Sequence, residues 1–230
     1  MAQYFELLER EVMTLAVSLP ANDVALARAA LAGGAEALKV HINVRHSATG
    51  IQFGSVEEER TNLEAILETA GDTPVGIVTG HQTPLTRDEH DLLQSMGFDF
   101  LNLHAHDIPV WAWLDDTFPK LVAVDESYTS DDLIALNLLS PDGVEAAVIP
   151  NAGYGHALNV RDLARYQMLY DILDWPMVVP TQRQILPDEV PALDAIGVRG
   201  LTIGAVVTGM EADSIREATA AFRRAMDTTS

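Results

Sequence analysis

The chain has 230 residues, no cysteine, 14 basic residues against 34 acids, and a formal net charge of −20 at pH 7. That length fits one large domain over 1–230, and the absence of cysteine excludes a disulfide framework, a thiolate metal site and a cysteine nucleophile. The charge argues against nucleic acid and anionic membranes as partners; no apolar run reaches the ~18 residues of a membrane span, and the opening residues lack the layout of a signal peptide, so a cytoplasmic protein is expected.

Residues 1–12 read as a leading helix. Short β-rich apolar runs then predict strands over 14–18, 37–43, 74–79, 98–104, 120–125, 144–150, 176–181 and 200–204. Helical patterns with recognisable ends lie between most of them. Ser55 with Glu58 and Thr86 with Glu89 both have capping-box spacing. Gly33, Gly71, Gly97 and Gly197 stand where helices should stop, and Pro187 suits a first helical turn. The acids Glu57, Glu58 and Glu59 read as a solvated helix start that favours the dipole. Trp111 and Trp113 fall in the helix after the fourth strand, as packing or as an oligomer contact, which allows a homodimer.

Eight strand–helix repeats predict a single (β/α)8 TIM barrel with an extra N-terminal helix. A doubly wound open sheet is the rival, but its Gly-rich turn after the first strand is missing: residues 18–22 hold no glycine. The barrel places its site where strands end. Longer loops are expected there at 44–54 and 151–159.

Lys39 is the sharpest signal, one of only two lysines and set inside an apolar strand. A buried amine needs a carboxylate or an anionic ligand. The structural reading pairs it with Glu36, Asp125 or Glu126; the functional one makes it a catalytic group. Histidines cluster at predicted strand ends. His41 and His104 are candidates for proton transfer, with Asp125 orienting one of them. Alternatively His41, His81 and His104 hold a divalent metal ion, the one cofactor considered, with Asp125 as fourth ligand. His104 and His106 share one strand face, a weak metal signal. His46, in a loop, and His90, on a helix, are assigned no role. Near the end of the chain Gly204 and Ala205, with Arg183, suggest a phosphate cradle. Asn43, His81, Asn151, Gly153 and Gln182 are candidate substrate contacts.

Three stretches carry a family resemblance: Asn151-Ala-Gly153-Tyr154, Val178-Val-Pro-Thr181-Gln-Arg183 and Gly200-Leu-Thr-Ile-Gly204-Ala. They resemble N-acetylmannosamine-6-phosphate 2-epimerases, members of the ribulose-phosphate-binding barrels. The resemblance implies the barrel and a phosphorylated sugar-like ligand. It also implies a catalytic lysine where this chain has Thr79 and a catalytic glutamate where it has Thr181, so the epimerase mechanism does not carry over. The expected function is therefore an enzyme acting on a small phosphorylated carbonyl compound, by isomerisation, epimerisation or carbon–carbon cleavage. A metal-dependent lyase or epimerase and a non-catalytic ligand-binding barrel are the alternatives. A surface acidic outside and basic at the mouth is the expected basis for recognising a small anion.

Overall fold

The computed structural model describes residues 3–80 and 83–228. Eight parallel strands close on themselves in sequence order. They are β1 (Thr14–Ser18), β2 (Ala37–His41), β3 (Val75–Val78), β4 (Phe100–His104), β5 (Lys120–Val124), β6 (Gly143–Ala146), β7 (Met177–Pro180) and β8 (Gly200–Ile203). The helices are α1 (Gln3–Leu8), α2 (Val24–Ala32), α3 (Val56–Ala70), α4 (Arg87–Met96), α5 (Val110–Trp113), α6 (Ser130–Asn137), α7 (Val160–Ile172), α8 (Val190–Asp194), α9 (Ala205–Thr208) and α10 (Ala212–Asp227). This is the (β/α)8 barrel with its leading helix. Among the described residues no helix is long and apolar enough to cross a membrane.

Local chemistry sets the helix ends. Ser55 and Thr86 each close a reciprocal capping box with Glu58 and Glu89. Gly71, Gly97 and Gly197 take positive φ as helix ends require. Gly33 does not: the left-handed residue after α2 is Gly34, φ 97°. Gly33 is needed for space, since a Cβ there would stand 2.6 Å from the Thr219 Cβ on α10.

Strand parity separates two cores. Leu15, Val17, Leu38, Val40, Leu101, Leu103, Val122 and Ile203 point outward into the main apolar cluster beneath the helices. A second cluster fills the barrel floor: Ala16, Ala37, Phe100, Leu121 and Val178 from the strands, with Tyr4, Phe5 and Leu8 from α1. Helix α1 is thus a plug. Tyr4 stacks on Phe100 with ring centroids 4.3 Å apart. Room for the Phe100 ring exists because Gly76 has no side chain; a Cβ there would come within 2.2 Å of Phe100 Cζ. Two residues further along β1, β2, β4, β6 and β8 the interior turns polar, at Ser18, Lys39, Asn102, Glu145 and Thr202, and that change builds the site.

Candidate active site

Above the floor lies a cavity of about 350 Å³ at the carboxyl ends of the strands. Its lower wall is the next interior layer, which includes Ser18, Lys39, Asn102, Glu145 and Thr202. Its upper wall takes His41, His104, Asp125, Gln182 and Gly204, two residues on from that layer.

Lys39 and Glu145 meet across the barrel. The Lys39 Nζ lies 2.5 Å from Glu145 Oε1, with side chains 5% and 8% exposed. Strands β2 and β6 are four apart in an eight-stranded ring, so the pair spans the interior. The expected carboxylates are not the partners. Glu36 sits before β2 and pairs instead with Arg10 and Arg223, each at 2.6 Å. Asp125 and Glu126 lie past the end of β5, above the lysine. Asn102 stands in the same layer and donates to the Leu121 carbonyl at 2.9 Å.

His41 is buried and its backbone is clamped by Asn22, which donates to its carbonyl at 2.7 Å and accepts from its N–H at 3.2 Å. Its ring stacks on Phe53 at 4.8 Å and meets His46 edge-on at 5.0 Å. Nε2 lies 3.4 Å from Ser18 Oγ, while Nδ1 is buried without a hydrogen-bond partner among the described residues. Burial, then the nearby His46 and Lys39, hold the imidazole well below its usual pKa. It is therefore neutral at pH 7. His46 follows the same course, lowered by burial and by Lys39. The sequence assigned His46 no role, yet it lines the cavity. The signal available was its place in the long loop on the strand-end face.

His104, His106 and Asp125 gather on the opposite rim. The two imidazoles lie face to face with centroids 5.3 Å apart. Burial lowers the His104 pKa, against raising effects from Glu145 and Asp125. Burial works to raise the Asp125 carboxyl, but hydrogen bonds from Ser127 and the two histidines outweigh it and leave it below the usual range.

Other expected contacts divide. Asn151, Gln182, Gly204 and Ala205 line the cavity. Gln182 donates to Tyr154 Oη at 2.7 Å and accepts from the Ile149 N–H at 3.0 Å. Gly204 donates its N–H to Thr181 Oγ1 at 2.9 Å and begins α9. Asn43, with φ 53°, turns away and donates to Glu89 on α4 at 2.8 Å. Gly153 and Arg183 are not brought to the cavity either. The Arg183 guanidinium has Nη2 3.1 Å and Nε 2.8 Å from the two Asp162 oxygens, and Nη1 2.8 Å from the Gly153 carbonyl. It fastens the loop after β6 to α7. His81 lies outside the described residues, so the metal set of His41, His81 and His104 has no described geometry.

The expected basic mouth is corrected. The described lining holds Lys39 and Arg45 against Asp107, Asp125, Glu126 and Glu145, a formal balance of −2 with histidines neutral. Arg183 adds nothing there because Asp162 holds it.

No protein-family model matches the chain. No curated protein matches it. Solved structures do. A thiamine phosphate pyrophosphorylase from Pyrococcus furiosus is 17% identical, with 95% of this chain and 97% of that one covered and a TM-score of 0.66. A tryptophan synthase chain from Mycobacterium tuberculosis, in a ligand-free form, is 15% identical over 98% and 99% of the two chains, TM-score 0.72. A protein of Aquifex aeolicus is 13% identical over 98% of both, TM-score 0.72. At these identities the likeness shows the fold alone.

Proposed function

We propose that the protein is an enzyme that moves a proton next to the carbonyl of a small, hydroxyl-rich, phosphorylated substrate. The observation that carries this reading is the Lys39–Glu145 pair, which puts a fixed ammonium at the base of a strand-end cavity. Glu145 accepts a hydrogen bond from one Nζ–H and holds the ammonium in place; the other two N–H bonds are available to a substrate oxygen. An ammonium aimed at a carbonyl oxygen stabilises the enolate that forms when the adjacent carbon loses its proton. His41 is the base. As a neutral imidazole it accepts the proton at a ring nitrogen; returning it to the neighbouring carbon, while the adjoining hydroxyl proton passes to the former carbonyl oxygen, completes an isomerisation, and protonation of the first carbon on its opposite face by a second donor completes an epimerisation. No external oxidant or reductant enters. The phosphate would rest on the backbone N–H groups that open α9 at Ala205 and Val206, which have no acceptor inside the helix. The likeness of the β6, β7 and β8 segments to sugar-phosphate epimerases supports the same substrate class.

The test is solvent exchange. Aldose, ketose and amino-sugar phosphates, incubated in deuterium oxide with the protein, are followed by proton NMR for loss of the signal next to the carbonyl. At least one should exchange, and Lys39→Met and His41→Gln should each slow it by ~100-fold or more. Undiminished exchange with Lys39→Met would remove the ammonium from the mechanism. Absence of exchange across the panel, with tight binding retained, would favour a ligand-binding barrel.

A further inference from the structure

We propose that His104, His106 and Asp125 bind one divalent transition-metal ion at the rim of the cavity, a site beyond the proton-transfer reading above. A nitrogen of each imidazole and an oxygen of the carboxylate lie within 4.8 Å of one another. His106 Nδ1 stands 3.9 Å from Asp125 Oδ2. That is too long for a hydrogen bond. It is close to the roughly 3.4 Å between two atoms that each sit ~2.1 Å from a tetrahedral ion.

The surroundings are arranged as ligand supports. Asp125 Oδ1 accepts from the Ser127 N–H at 2.8 Å and from its hydroxyl at 2.5 Å, which turns Oδ2 toward His106. On the far side of the His106 ring, Nε2 faces Asp107 Oδ2 at 3.6 Å. A carboxylate behind a ligand imidazole sets its tautomer and raises its basicity.

The charge of the mouth is an independent argument. Four lining acids against two cations draw in a positive ion, and one divalent ion cancels the formal balance of −2. Two nitrogens and one oxygen suit zinc, manganese, iron or cobalt better than calcium or magnesium. Three protein ligands also leave coordination positions open toward the cavity.

Full-chain protein, stripped with chelator, is titrated with cobalt(II) by visible absorption and with zinc(II) by calorimetry, without any substrate. The expected result is one saturable site at micromolar metal or tighter. His106→Ala and Asp125→Asn should each weaken it tenfold or more, and Ser127→Ala by about tenfold. His106 is exposed, so its loss leaves the fold intact, and circular dichroism checks this. Exchange of the surface acids Glu57→Gln and Glu64→Gln should change nothing, which separates the site from general attraction to an acidic protein. No saturable binding, or parent-like binding by both His106→Ala and Asp125→Asn, overturns the proposal. Because no substrate is present, neither outcome bears on Lys39 and His41.

Discussion

Lys39 on β2 and Glu145 on β6 form an ion pair that crosses the barrel interior with a 2.5 Å separation. Neither partner can be replaced singly without leaving a buried charge. Lys39→Met and Glu145→Leu should each cost about 3–5 kcal/mol, while the double substitution should recover most of that loss. Urea denaturation of the three variants measures it. Additive losses in the double variant would show that the two groups do not depend on each other.

Stability should fall as acid is added, and His41 is one cause. Its folded pKa lies well below the ordinary value, so below about pH 6.5 the unfolded chain binds a proton that the folded chain refuses. The sign follows: the contribution is intact above pH 6.5 and shrinks below it, by up to ~1.4 kcal/mol per pH unit for this residue. Denaturant midpoints at pH 7.5 and 5.5 should therefore differ more for the parent than for His41→Gln. Parallel pH dependence in the two proteins would rule the residue out.

Gly76→Ala should destabilise by at least about 1–3 kcal/mol, because its methyl group would occupy the Phe100 ring. Phe100→Leu in the same chain should relieve part of that penalty. A melting temperature unchanged by Gly76→Ala would mean the floor repacks freely.

Arg183→Met should unlock the loop after β6. Asp162 would remain buried without its cation, and the Gly153 carbonyl would keep only the His156 N–H at 3.3 Å, at a cost of about 3–5 kcal/mol. Amide hydrogen exchange over 151–156 should quicken at least tenfold. Unchanged exchange there would assign Arg183 some other task.

Strand positions were legible because burial on both faces makes each strand a short apolar run bounded by turn residues. Observed strands fall within or one residue from the expected ones at all eight places; β2 ends early because the Asn43 N–H turns to the Gly54 carbonyl, and β6 because the Ala147 N–H turns back to the Glu145 carbonyl. Lys39 was legible for the same reason: a charge inside such a run stands out. Its partner was not. Glu145 alternates with Val144 and Ala146 on a short strand, and only closure of the ring shows that it faces β2. Arg183 misled because a cation beside a glycine-based loop suits an anion, and nothing local reveals that Asp162 on α7 reaches it first. His46 carries no sequence signal of its own because a loop histidine has no periodicity; the loop's fold onto β2 brings it to His41.

The floor of the barrel joins the two ends of the chain in time as well as in space. Leu8 of α1 packs where Gly200 of β8 has no side chain, 2.9 Å from a Cβ that is not there. At ~5–20 residues per second, a ribosome needs roughly 10–40 s to travel from one to the other. Throughout that interval Tyr4, Phe5 and Leu8 have no finished floor to enter. The early helix must wait, exposed or shielded by a chaperone, until the last strand arrives.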